Sequence, residues 1–487
     1  MMNRINHRKC ILPLLASTLL MNGCALLPQE GIREKLMAMP GMAQTLTSGQ
    51  DAEKWVQAWP GAQWWKEFHN PELDRLVSTA LQGSPTLKAA SARVGQAQAL
   101  ADYQAAELLP SIGASADFHT RHFSGKDFYG PAGDHTFTGA YIDPFIFRYH
   151  LDLWGKDKAA LESAVGKERA QVAELAVARL LLGTSLARGY FRLCAAEEEA
   201  KLSQTLIANA GRQLRLARQR FDSGLDSLDP VYANEQKLEA LRQRAASLQA
   251  EAQILRNRLA ALAGQGADWG KTIAVSPARY EGQFPLPTTL ALGLLAHRPD
   301  VAAALWRVEA AAQTVKVAKT HFYPDVNLVG FTGLRSLNLK DLVASQGASA
   351  AYSIGPTITL PIFEGGRLEA GLANGQAGYD SAVASYNSTL LAAVQQVADA
   401  LARWRESQRH DEAQESAVQA AQEHAKLAAT RYQAGLSSRD GELDAEAGLL
   451  EQRLKLSQLE AGHLQSAVGL IEALGGGYEN RAGGKQP

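Results

Sequence analysis

The sequence is poor in cysteine and aromatic residues and carries almost no net charge. Only three cysteines occur in 487 residues. Two of them, Cys10 and Cys24, lie at the N-terminus, which leaves Cys194 without an intramolecular partner and argues against a disulfide framework. A formal net charge of -1 gives no electrostatic reason to expect nucleic-acid binding. Aromatics make up 7% of the chain, whereas Ala, Leu, Gln and Glu dominate long tracts, so the composition suits long helices better than a compact enzyme core.

The sequence also lacks the short motifs that mark common active sites. It contains no His-Glu-x-x-His zinc pair and no Gly-x-Ser-x-Gly elbow. The segment from Gly264 to Thr272 resembles a phosphate-binding loop, but its glycine spacing is wrong and no strand precedes it. The eleven histidines are scattered, with no two at ligand spacing on a helix. We therefore expect a protein that is not an enzyme, with no catalytic residues, cofactor or metal.

Proline is absent from two long stretches, and both predict very long helices. None occurs between Pro144 and Pro230, or between Pro361 and the final residue. Residues 156–221 form a helical run of 66 residues, about 100 Å at 1.5 Å per residue. The return arm, residues 231–263, is about half as long and carries Leu and Ala at heptad spacing.

The chain is an internal duplication. The segment Gly224–Ser227 (Gly-Leu-Asp-Ser) recurs 211 residues later as Gly435–Ser438 (Gly-Leu-Ser-Ser). Each tip glycine lies between two helical runs, where it is expected to adopt the positive φ that ends a helix. The repeat predicts a pair of helical hairpins with matching tips. Two flanking glycines recur as well, Gly155 as Gly365 and Gly264 as Gly475.

Prolines also mark where the helical pattern changes to alternation of apolar and polar residues. Residues 111–119, after Pro110, and residues 145–154 alternate, and the second copy repeats this after Pro324, most clearly at 352–360. Four such strands fit either a soluble sheet or part of an outer-membrane barrel. Four strands cannot close a barrel, because the smallest known barrels use about eight and lipid tolerates no open edge. Three chains would supply twelve, which fits a ring with threefold symmetry.

The N-terminus has the features of a bacterial export signal. A positively charged start is followed by the apolar run Ile11–Met21, which is too short for an ordinary transmembrane helix. It ends in Leu20–Cys24, which resembles a lipobox, the motif at which the signal is cut before a cysteine that then carries acyl chains. The residue after Cys24 is Ala25, whereas a signal for retention in the inner membrane would have Asp there. By resemblance to other lipoproteins, we therefore expect the outer membrane as the destination. An ordinary secretory signal with an incidental cysteine is the alternative.

These features divide the chain into six segments. The first repeat and the second repeat each contain helices, a strand pair and a long hairpin, and the second is followed by a flexible tail. The boundaries are 1–23 for the signal peptide, 24–66 for a lipidated tether, 67–264 for the first repeat, 265–288 for a linker, 289–475 for the second repeat and 476–487 for the tail.

Together, these motifs resemble one family. The lipobox, the duplication, the prolines before the strands, Leu153-Trp154-Gly155 with its counterpart Ile362–Gly366, and the paired tips are similar to the outer-membrane factors of Gram-negative tripartite exporters, in their lipoprotein, nodulation-protein-T-like branch. The resemblance implies an α+β homotrimer, in which a twelve-stranded outer-membrane barrel is continuous with a periplasmic α-barrel. It also implies a passive duct for drugs or other small toxic molecules, anchored in outer-membrane lipid through N-acyl and S-diacylglycerol groups on Cys24.

The resemblance further implies partners and a periplasmic gate. The partners are a periplasmic adaptor and an inner-membrane pump, which would meet the tips at Gly224, Leu225, Ser227, Gly435, Leu436 and Ser437. The gate residues lie around the second tip: Asp444, after the tip, matches a family gate aspartate, and Tyr432, just before the tip glycine, matches the tyrosine of the family's tip motif. The family's gate arginine is Ser437 here, and its other aspartate is Gly441, so Arg439 and Asp440 are candidates for a substitute pair. The alternative for Asp444 is a solvated acidic residue at the start of a helix.

Three other functions remain open. Type I protein secretion uses the same kind of duct. A periplasmic adaptor would contain one hairpin and a lipoyl-like β module, whereas this chain predicts two hairpins and paired strands. A non-channel coiled-coil lipoprotein would lack the strands.

Overall fold

A computed structural model describes residues 33–38, 40, 59–126, 133–276, 297–344 and 349–479. The predicted signal peptide with Cys24, most of the tether and much of the linker lie outside these residues. The described chain forms two compact units. Of the described residues, the sheet unit contains 33–36, 94–126, 133–170, 304–344 and 349–386, and the helical unit contains 37–38, 40, 59–93, 171–276, 297–303 and 387–479.

The predicted long helices are present and repeat in length. The bounds are α1 Pro71–Gly83, α2 Pro85–Ala106, α3 Lys156–Asp222, α4 Asp229–Leu262, α5 Ala267–Gly270, α6 Pro299–Thr320, α7 Asp341–Ala344, α8 Arg367–Gln433 and α9 Arg439–Ala473. Helices α3 and α8 contain 67 residues each, and their return arms α4 and α9 contain 34 and 35. The one-turn helix α5 lies in the predicted linker.

The helix bounds correct one pairing in the predicted duplication. The carbonyl of Gly155 accepts a hydrogen bond from the N–H of Ala159, and that of Gly366 accepts the equivalent bond from Ala370. Gly155 therefore corresponds to Gly366, one position beyond the predicted Gly365. Two successive glycines with positive φ, 61° and 86°, precede α8 where one precedes α3, so the sequence alone did not distinguish them.

Four strands form one antiparallel sheet in sequence order. Their bounds are β1 Ser111–Phe123, β2 His135–His150, β3 Asp325–Ser336 and β4 Ala350–Thr359. The register pairs Phe118 with Ala140, Phe147 with Gly330 and Gly330 with Ile354. The second strand begins well before the predicted start at residue 145, because Pro144 lies at a bulge, where the missing N–H is tolerated.

The apolar residues of the edge strands are exposed. Ile112 and Phe118 on β1 are 67% and 66% exposed, and Tyr352 and Ile354 on β4 are 84% and 74% exposed. A soluble sheet buries its apolar face against a second layer, so this exposure favours a lipid-facing sheet over the soluble alternative.

The core of the helical unit contains a group of aromatic residues among its aliphatic ones. A 3-10 helix at Trp64–Phe68 buries Trp64 and Phe68, and Phe68 packs on Phe191 of α3 with ring centroids 5.0 Å apart. Cys194 packs against the same cluster, and desolvation raises the pKa of its thiol to about 11. A thiol with such a high pKa is almost fully protonated at neutral pH and is therefore unreactive.

Candidate functional site: the paired helix tips

Both hairpin tips end their first helix in the same way. Gly224 and Gly435 each have φ of 72°, which confirms the predicted positive φ. The N–H of Gly224 donates to the carbonyl of Phe221, and the N–H of Leu225 donates to that of Arg220, at 2.8 Å each. These two bonds define a Schellman motif, which satisfies carbonyls left free at the helix end. The second tip repeats both bonds, from Gly435 to Tyr432 and from Leu436 to Arg431.

The leucine after each tip glycine is exposed. Leu225 is 73% exposed and Leu436 is 78% exposed. In many Schellman motifs this residue packs on an apolar side chain five residues earlier, but here that position is Arg220 or Arg431. The tips therefore present apolar surface to their surroundings, together with the exposed Ser227 and Ser437.

Polar contacts join the helix before the first tip to the helix after the second. Arg220 of α3 donates from Nη1 to Oδ2 of Asp440 at 2.9 Å, and its Nε lies 3.0 Å from Asp226. Further along the interface, Gln213 donates to Asp444 at 2.7 Å. These contacts hold the second hairpin against the first near the tips.

A second pair of contacts extends this interface away from the tips. Arg212 donates to Glu446 at 2.6 Å, and Asn209 donates to the carbonyl of Leu443 at 3.1 Å. Beyond them the interface becomes apolar, where Leu206 packs with Leu450 and neighbouring residues. The polar contacts between α3 and α9 therefore lie at the end of the interface nearest the tips.

The predicted substitute pair is not brought together by the structure. Arg439 donates to the hydroxyl of Tyr432 at 3.3 Å, and its guanidinium lies 5.1 Å from the centre of the Tyr432 ring. This hydrogen bond raises the pKa of Arg439. Asp440 instead contacts Arg220 of α3. Arg439 and Asp440 therefore bind different partners and do not bind each other.

Sequence reasoning missed the α3 side of this interface. Gln213, Arg212 and Asn209 lie 7, 8 and 11 residues before Arg220, which places all four along one helix face. That spacing is visible in the sequence, but most polar stripes on a helix face solvent, so it does not identify a partner helix.

Comparison with known proteins gives consistent matches over most of the chain. A family model described as outer membrane efflux protein matches residues 76–265 and 292–476. The chain is 29% identical over 488 residues to the multidrug resistance outer membrane protein MdtP of Escherichia coli (strain K12), covering 98% of each. It is 30% identical over 472 residues to MdtQ of Escherichia coli O6:H1, covering 95% of this chain and 96% of that protein.

A solved structure is also similar. The crystal structure of the outer membrane protein VceC from Vibrio cholerae superposes with a TM-score of 0.78 at 34% identity, covering 86% of this chain and all of that one.

Alanine substitutions at two glycines test the tip geometry. At Gly435, φ is positive and a Cβ meets no atom within 4 Å, so Gly435→Ala costs only backbone strain, about 1–2 kcal/mol. Gly441, in the first turn of α9, has equal space without a positive φ, so Gly441→Ala is the matched control. Hydrogen exchange at the second tip should be about tenfold faster in Gly435→Ala and unchanged or slower in Gly441→Ala. Equal exchange in both variants contradicts the strain argument.

Proposed function

Because the chain belongs to the outer membrane efflux protein family, we propose that three copies form one passive duct through the outer membrane. The chain is the outer-membrane exit component of an efflux system. The sheet is the observation that supports a trimer. Among the described residues, β1 and β4 each pair with one strand, and their apolar side chains are exposed. Lipid tolerates neither an open edge nor a four-stranded barrel, whereas twelve strands can close.

The names of the relatives favour small molecules as cargo. MdtP and MdtQ are named multidrug resistance proteins. Drugs or other small toxic molecules are therefore the proposed cargo, and type I protein secretion is the alternative. A non-channel coiled-coil lipoprotein does not account for the exposed apolar sheet.

The tips are the proposed contact with the export machinery. Leu225 and Leu436 are exposed apolar residues at helix turns, which suits docking by a periplasmic adaptor that connects to an inner-membrane pump. The contacts of Asp440 and Asp444 with α3 hold the hairpins together at the same end. We infer that these contacts, with those of Tyr432 and Arg439, keep the periplasmic end closed until the hairpins separate.

Channel conductance tests this latch. Asp440→Asn and Asp444→Asn weaken contacts to Arg220 and Gln213, so each should raise single-channel conductance in planar bilayers. Asp229→Asn is the control, because Asp229 occupies the equivalent place in the first tip and contacts Ser227 of its own tip. It should conduct like the parent.

The sign of the change separates two roles for the carboxylates. A latch predicts higher conductance when a carboxylate is neutralised. A purely electrostatic ring predicts lower cation conductance, because the attraction for cations falls. Unchanged or lower conductance in both variants contradicts the latch.

Lipid attachment at Cys24 is a separate proposal. Its support is the sequence Leu20–Cys24, which lies outside the described residues. Mass spectrometry of the mature N-terminus should find acyl chains on Cys24 and none in Cys24→Ser. A mature chain that begins elsewhere, without lipid, contradicts the proposal.

A further inference from the structure

Three potential metal ligands meet where the sheet joins the first long helix. His150 ends β2, Asp152 lies in the following turn, and Asp157 lies in the first turn of α3. One ligand atom from each lies within 4.8 Å of the others. All three residues belong to the sheet unit.

The surroundings of His150 suit a metal ligand. Its Nδ1 forms a hydrogen bond with the carboxylate of Asp157, which a bound ion would replace, and its Nε2 lies 3.5 Å from Oδ2 of Asp325. Metal-bound histidines commonly donate their second ring N–H to a carboxylate, which orients the ring and fixes the tautomer. The carboxylate of Asp325 lies on the Nε2 side of the ring, where such a bond would form after a small side-chain shift.

Asp152 supplies an oxygen with no hydrogen-bond donor. Its Oδ2 accepts the N–H of Lys158 at 3.0 Å, whereas its Oδ1 is buried and has no hydrogen-bond partner among the described residues. A buried carboxylate oxygen without a donor is costly, and a cation would satisfy it.

The local charge is negative. Asp152, Asp157 and Asp325 lie close together, and Lys156 offsets one of these charges, because its Nζ is 3.6 Å from Asp325. Arg367 pairs with Glu364, so those charges cancel. His150, Asp152 and Asp325 line a cavity of about 180 Å³, enough for an ion with water molecules. Asp157 does not line this cavity and contacts it only through His150.

The second copy lacks these ligands. The helix register places Pro361, Phe363 and Leu368 where the first copy has His150, Asp152 and Asp157. None of the three binds metal through its side chain. The repeated turn therefore does not require the cluster.

We propose that His150, Asp152 and Asp157 bind one divalent transition-metal ion of the zinc class. Imidazole with carboxylates suits zinc better than magnesium or calcium, which prefer oxygen ligands alone. Tetrahedral zinc places its ligand atoms about 3.4 Å apart, so side-chain rotations would bring the three ligands into position. The ion would tie the end of β2 to the start of α3.

Zinc titration of the mature protein tests the site. The protein is purified in detergent without a polyhistidine tag, stripped with EDTA and titrated with Zn²⁺ by calorimetry. We expect one ion per chain, and affinity at least about tenfold lower in Asp157→Asn and in Asp152→Asn. Asp117→Asn is the control, because Asp117 forms an ordinary pair with His119 at 2.7 Å outside the three-residue cluster, and it should bind as the parent does.

Three results would overturn the proposal. They are the absence of stoichiometric binding in the parent, equal affinity in the parent and both cluster variants, and equal affinity for Mg²⁺ and Zn²⁺. If either Asp157→Asn or Asp152→Asn fails to fold, the zinc affinity of the other variant tests the proposal.

Discussion

Among the described residues, β1 and β4 each pair along one side only, and these two unpaired sheet edges constrain the rest of the molecule. Each edge strand presents backbone groups that water satisfies but lipid cannot. The exposed apolar residues of β1 and β4 favour placing those edges in lipid. One chain cannot close its own sheet, so a closed duct requires several chains. The helices that follow each strand pair must then fit side by side in the same ring of chains.

The duplication explains how one chain supplies matching parts to that ring. Helices α3 and α8 have equal length, and both end in a Schellman motif at a glycine with φ of 72°. Equal lengths give the two tips equivalent positions in their repeats. The tips differ in their side chains, since Asp440 contacts Arg220 whereas Asp229 contacts its own tip.

Much of this fold follows from sequence patterns, and the exceptions have physical causes. The absence of proline predicted the long helices, and the tip glycines were recognisable because only glycine readily adopts positive φ. The early start of β2 was missed because Pro144 lies at a bulge. The contacts of Arg220 and Gln213, and the cluster at His150, depend on residues distant in sequence or on a turn geometry that no periodicity reveals.

Disulfide cross-linking between edge strands tests the shared barrel most directly. Ala116→Cys on β1 is combined in turn with Tyr352→Cys, Ile354→Cys or Ile358→Cys on β4, which sample the length of that strand. Cys194 packs against the core and its thiol has a raised pKa, so the parent is a suitable background. The account predicts cross-linked dimers and trimers in at least one combination and none with either cysteine alone. Monomers in every combination would contradict it.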